Sequence, residues 1–81
     1  NVGINNLIIG SEGRNEWLNA SFDAILKFEI PNKGRVLVFG SESILYDNMV
    51  DRGEILVPAG SLIEVAGNPG DKFQVVVSAV D

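Results

Sequence analysis

Every second residue from Leu18 to Ile30 is apolar: Leu18, Ala20, Phe22, Ala24, Leu26, Phe28 and Ile30. Asn19, Ser21, Asp23, Lys27 and Glu29 fill the alternate positions, and only Ile25 breaks the polar set. Successive side chains leave a strand on opposite sides, so a period of two marks a strand with one face in a core. A helical stripe through Leu18, Phe22, Ile25 and Leu26, capped by Ser11 or Asn15, competes with this reading. It leaves Phe28 and Ile30 off the apolar face and puts Glu29 on it. The segment therefore reads as extended. At about 3.4 Å per residue such a run reaches about 44 Å, whereas a compact chain of 81 residues is roughly 30 Å across. It must bend, with Asp23 to Ile25 the expected bulge, or project and offer bare backbone groups to a neighbour.

The rest of the chain carries the same signature. Val36 to Phe39 is apolar on both faces, as in a central strand. Ser43 to Asp47, Glu54 to Val57, Ser61 to Gly67 and Lys72 to Val80 read as further strands, and the first nine residues add one more through Asn5 to Gly10. In the last of these, Phe73, Val75, Val77 and Ala79 point inward. Turns are expected at Ile30 to Arg35, where Pro31 and Gly34 supply the turn chemistry, at Pro58 to Gly60, and at Gly67 to Asp71. In the last, Pro69 followed by Gly70 suits a type II turn. Asp47 to Gly53 reads as a polar loop. Leu7 to Glu12 (LIIGSE) and Leu37 to Glu42 (LVFGSE) echo one another, which ordinary strand-ending turn chemistry explains without duplication. Six or seven short strands with regular turns predict one all-β domain over residues 1–81, a small antiparallel sandwich or barrel, Ig-like or jelly-roll-like. The chain opens on Asn1 without a methionine, as a processed chain or a fragment would.

Composition removes several chemistries. The chain has no cysteine and no histidine, hence no disulfide, no thiolate or imidazole metal site and no histidine base. Eleven acidic residues against six basic ones give a net charge of −5. The basic residues are scattered, so neither nucleic acid nor an anionic membrane is an expected partner. No apolar run approaches the length of a membrane span. A chain this short buries only about 60–65% of its unfolded surface. With disulfides and thiolate metal sites absent, a partner subunit or larger body is the helper expected.

Candidate sites are few. Serines have no histidine or cysteine beside them, and no Ser–Lys spacing suggests a dyad. Asp47, Asn48, Asp51 and Glu54 fall within one acidic segment that could offer oxygen ligands to calcium, but they do not follow a calcium-loop pattern and read as a solvated loop. A glycosidase pair of carboxylates has little chain from which to build a cleft. Trp17 and Tyr46 are the rings available for stacking on a sugar; the alternative role for Trp17 is to cap the end of the core. The glycines of Gly10 to Gly13 lack the strand-loop-helix context of a phosphate cradle. Asn19-Ala20-Ser21 matches an N-glycosylation acceptor. No cofactor is implied.

Phe73 to Val80 combines high β-propensity with almost no charge, so it must be central or paired with another chain. With the over-long strand and the small core, this predicts a non-enzymatic structural or assembly module. It would dock onto a protein partner or its own copies by strand edges and loops, as a decoration or accessory protein on a virion or extracellular surface does. The alternative is a carbohydrate-binding module using Trp17 and Tyr46, with Asp47, Asp51 and Glu54 supplying hydrogen bonds.

Overall fold

The computed structural model describes residues 2–19 and 21–80. Among them the chain is all β: β1 (Val2–Ile8), β2 (Arg14–Leu18), β3 (Ala24–Phe39), β4 (Ile44–Val57), β5 (Leu62–Ala66) and β6 (Lys72–Ala79). All pairings are antiparallel. The six strands form one strongly curled half-barrel sheet.

The registers give this sheet a simple description. β4 pairs with β3 along nearly its whole length. On the other side of β3, β6 pairs with Ala24 to Glu29 and β5 with Arg35 to Phe39, so β5 and β6 lie end to end. β1 flanks β6 and β2 flanks β5, again end to end. The molecule is thus a sheet of four long strands creased across its middle. Two of them break at the crease, at residues 9–13 and 67–71. The other two bend there, β3 at residues 30–33 and β4 at Asp51, where the β3–β4 register shifts. Backbone bonds stitch the two broken strands together: Gly67 N–H to Gly13 O (2.9 Å), Gly70 N–H to Ile9 O (2.8 Å) and Ile9 N–H to Asp71 O (2.8 Å).

The crease folds two wings onto one core. Leu26, Phe28, Ile30, Phe73 and Val75 come from one wing, and Val36, Val38, Ile63 and Val65 from the other, with Ile9 and Val57 completing the cluster. The chain measures 33 × 27 × 18 Å with a radius of gyration of 11.8 Å. A straight strand of the length of β3 would exceed the longest of these dimensions, at about 3.4 Å per residue.

The expected turn at Ile30 to Arg35 is not a reversal. It is the corner of β3, where the strand leaves β6 and joins β5. Pro31 is tolerated because this stretch has no ladder partner on either side, so its missing N–H costs no bond. Lys33 takes φ 56°, and Gly34 lies so close to β5 that an added Cβ would come 2.6 Å from Ala66 O. Asp47 to Gly53 is no loop either. Its residues are strand, polar because an edge strand on a sheet with one wet face exposes most of its side chains.

The proposed strand from Leu18 to Ile30 divides. Leu18 ends β2 and is exposed, Phe22 is exposed in a connection, and β3 starts at Ala24, so the expected bulge at Asp23 to Ile25 is instead a strand start. Ala20 lies outside the described residues. From Ala24 onward the alternation holds: Ala24, Leu26, Phe28 and Ile30 are all buried. Val36, Leu37 and Val38 are buried between β4 and β5, as a central strand should be. The turn at Pro69-Gly70 is also as read, with Gly70 at φ 90° and Asp71 N–H donating to Asn68 O at 3.1 Å.

The free ends of the two wings are latched. Asn19, just past β2, is buried, and its side-chain amide donates to Phe22 O (3.2 Å), Val57 O (3.2 Å) and Pro58 O (3.1 Å). Its own N–H goes to Ser61 O at 2.8 Å. Asp23 Oδ1 accepts from Ala59 N–H at 2.9 Å. The Asn19 amide is therefore committed inside the fold, where a glycan on that nitrogen would have to break the latch.

Candidate functional site

The residues singled out in the sequence do not gather at one point. Asp47, Asp51 and Glu54 are strung along β4. The Asp47 carboxylate takes a bidentate pair of bonds from Arg35 across the β3–β4 ladder, Nε to Oδ1 at 2.9 Å and Nη2 to Oδ2 at 2.8 Å. These bonds hold the Asp47 carboxyl below the usual carboxylate range and raise the Arg35 guanidinium. Glu54 lies 3.7 Å from Lys27. Among the described residues no three acidic side chains converge where they could hold a metal ion.

Trp17 and Tyr46 are both half-buried and pack against the core. Trp17 sits opposite Ile63 in the β2–β5 register and so shares its inward face. Tyr46 lies opposite Val38, its ring 6.5 Å from that of Phe28 and inclined at 60°. The two rings act as walls of the core, the role of capping its end, and do not form an exposed pair above an amide-lined groove.

The surface has open depressions. One, about 530 Å³, lies over Asn6, Ile8, Glu29, Lys72 and Gln74, with Glu29 the one carboxylate among its described lining residues. A second, about 390 Å³, follows the charged ladder of Lys27, Glu54, Glu29 and Arg52. Neither contains two carboxylates free of a nearby cation.

Sequence reasoning missed the feature that stands out, the outer edge of β4. Among the described residues this strand pairs with β3 alone, so one of its two edges carries no ladder. Its direction can be read from neighbouring bonds. Val80 N–H donates to Asp23 O at 3.1 Å, so odd-numbered residues at the start of β3 turn their backbone groups to β6 and even-numbered ones turn theirs to β4. Antiparallel ladders alternate between bonded and non-bonded pairs. Gly53, Ile55 and Val57, opposite Phe28, Leu26 and Ala24, are therefore the bonded partners of β3. Arg52, Glu54 and Leu56 direct their N–H and C=O groups to the free edge. In the other half of β4, Met49 N–H bonds to Asn48 Oδ1 at 3.0 Å, a side chain standing in for a missing strand. Ile44, Leu45, Met49 and Leu56 along this strand are each at least half exposed.

A second apolar feature runs across the convex face of one wing. Leu18, Leu62, Phe39 and Ile44 are successive cross-strand neighbours on β2, β5, β3 and β4. The adjoining row is acidic, with Glu16 opposite Glu64 and Arg14 3.8 Å from Glu64. Compared with known proteins, the chain matches no family model, no curated protein and no solved structure.

Proposed function

We propose that this chain is a non-enzymatic assembly module that docks through its β4 edge. The observation that carries the reading is the unpaired edge itself. A long row of outward N–H and C=O groups is a template for an added strand, and small sheet proteins that stay alone usually shorten, cover or kink such an edge. Here it extends over both halves of a 14-residue strand that bends at Asp51 and is flanked by exposed Ile44, Leu45 and Leu56. A decoration or accessory domain on a virion or other extracellular body fits this reading, since its task is to hold a neighbour. The face-to-face wings support the sandwich arrangement, Ig-like or jelly-roll-like, proposed from the strand spacing. Trp17 and Tyr46 pack inward, so no observation favours carbohydrate binding over docking.

The test is site-specific photo-crosslinking of the full-length polypeptide in its source, with the photoreactive residue at Leu56 and a control at Pro69 on the exposed β5–β6 turn. Adducts at Leu56, to another protein or to a second copy, and none at Pro69 are expected. No adduct at Leu56 would overturn the reading.

A further inference from the structure

We infer that the occupant of the β4 edge is a second copy of β4, paired antiparallel in full-length register about a two-fold axis between Val50 and Asp51. The inference rests on the docking reading and names its partner.

Four observations converge on it. The strand is apolar at both ends and polar in the middle: Ile44-Leu45-Tyr46 opens it and Ile55-Leu56-Val57 closes it. In the full-length register Ile44 meets Val57 of the second copy, Leu45 meets its Leu56, and Tyr46 meets its Ile55. Exposed Leu45 and exposed Leu56 thus meet across the edge, whereas Val57 stays buried in its own core and Ile44, opposite Phe39, lies on the outer face. The register also matches faces. Tyr46, Asn48 and Val50 share the inner face with Gly53, Ile55 and Val57, being opposite Val38, Val36, Gly34, Phe28, Leu26 and Ala24 respectively. Pairing Tyr46 with Ile55 and Asn48 with Gly53 keeps inner with inner, whereas a one-residue slip reverses every pair.

Backbone direction agrees as well. Met49, and by alternation Asp47, turn outward in one half of the strand, as do Arg52 and Glu54 in the other. The register sets Met49 opposite Arg52 and Asp47 opposite Glu54, so outward groups face outward groups and can close a ladder. Finally, each copy of β4 bends at Asp51. A register centred beside Asp51 sets the two bends next to one another and lets one creased sheet run through both copies. Isologous contacts of this kind are the commonest way for a chain to meet its own copy.

The same geometry contains a flaw that makes it testable. Asp47 falls opposite Glu54 of the second copy on the outer face, and symmetry repeats this like-charge pair, which is unfavourable across a sheet. Arg35 on Asp47 and Lys27 near Glu54 temper it. Exchanging the charges within one chain, K27E with E54K, retains an ion pair between β3 and β4 and turns the intermolecular pair into an attraction. Association should tighten about tenfold.

The experiment measures solution mass of the purified chain over a hundredfold concentration range by light scattering, with thermal melts confirming that each variant folds. The native chain is expected to move from one to two copies. Leu56→Lys, on an exposed side chain, should weaken association about a hundredfold, because both symmetric sites are lost. Leu18→Lys, on the convex apolar row, should leave it unchanged, and the charge exchange should tighten it. A native chain of one copy at every concentration would overturn the inference. So would a dimer that survives Leu56→Lys but is lost with Leu18→Lys, or one weakened by the charge exchange. The docking reading falls separately, only if Leu56 gives no crosslink to any protein in the source.

Discussion

Asn19 holds the mouth of the creased sheet closed, and replacing it measures what that latch contributes. Its side-chain nitrogen has two hydrogens shared among three carbonyl oxygens, those of Phe22, Val57 and Pro58, at 3.1 to 3.2 Å. Those oxygens lie at the end of one wing, beside Ala24 and Val57, while Asn19 comes from the end of the other, and the amide is buried. A hydrogen bond of this sort contributes about 0.5–1.5 kcal/mol net, and a buried partner left bare costs about 1–3 kcal/mol. Asn19→Ala should therefore destabilise the chain by about 2 kcal/mol. For a domain of this size 1 kcal/mol corresponds to about 4–8 °C in Tm, so the melt should fall by about 12 °C.

Asn19→Asp is the sharper case, because it keeps the shape and replaces the donor by an oxygen facing three oxygens. When ionised it should cost about 3 kcal/mol or more. The folded state then favours the protonated acid, so the carboxyl pKa of that Asp is raised above its unfolded value. The destabilisation grows as pH rises through the unfolded carboxylate range and shrinks as pH falls below it. Urea titrations at pH 7 and pH 3 read this directly, with an unchanged m-value showing that the same surface unfolds. An Asn19→Ala variant within about 0.5 kcal/mol of the native chain, or an Asp variant whose deficit is the same at both pH values, would refute the latch.

Four further outcomes follow from particular contacts. Gly34→Ala places a Cβ 2.6 Å from the Ala66 carbonyl and 3.2 Å from Ile30. It should cost about 2–3 kcal/mol in a denaturant melt. Gly60→Ala, with open space but φ 76°, should cost only about 1 kcal/mol. Trp17→Ala removes a wall of the core and should lower stability by about 2–3 kcal/mol; a fully stable variant would contradict its placement. An NMR titration should find the Asp47 carboxyl below the ordinary carboxylate range and Arg35→Gln should restore it, because the Arg35 bonds are the main cause of the shift. With its folded pKa depressed, Asp47 stabilises the chain above its unfolded pKa, and that contribution is lost as pH falls through the folded value.

How much of this was legible can be argued residue by residue. The period of two was readable from Ala24 to Ile30 because one face of β3 is buried throughout. Val36 to Val38 was readable because a strand with neighbours on both sides needs apolar residues on both faces. The same rule failed at Leu18 and Phe22, where apolar residues kept the parity across a connection that has no face. That break also reset the parity of Trp17, which turns inward on β2 beside Ile63. Pro31 and Gly34 carry turn chemistry, but a corner in a creased strand needs the same fixed φ and close approach as a reversal. The two differ only in which strands lie beside them. Asp47 to Gly53 looked like a loop because an edge strand is as polar as one. The edge itself left no local signal, since it is defined by the absence of a neighbour.

The most direct test of the account is residue-by-residue amide hydrogen exchange along β4, in dilute and concentrated solution. The creased sheet with a free edge predicts alternation when dilute: Gly53, Ile55 and Val57 protected by β3, and Arg52, Glu54 and Leu56 exchanging freely. At high concentration the second set should become protected as the edge is filled. Protection of Arg52, Glu54 and Leu56 equal to that of their neighbours at the lowest concentration would mean that the edge is already closed within one chain, and would contradict the account.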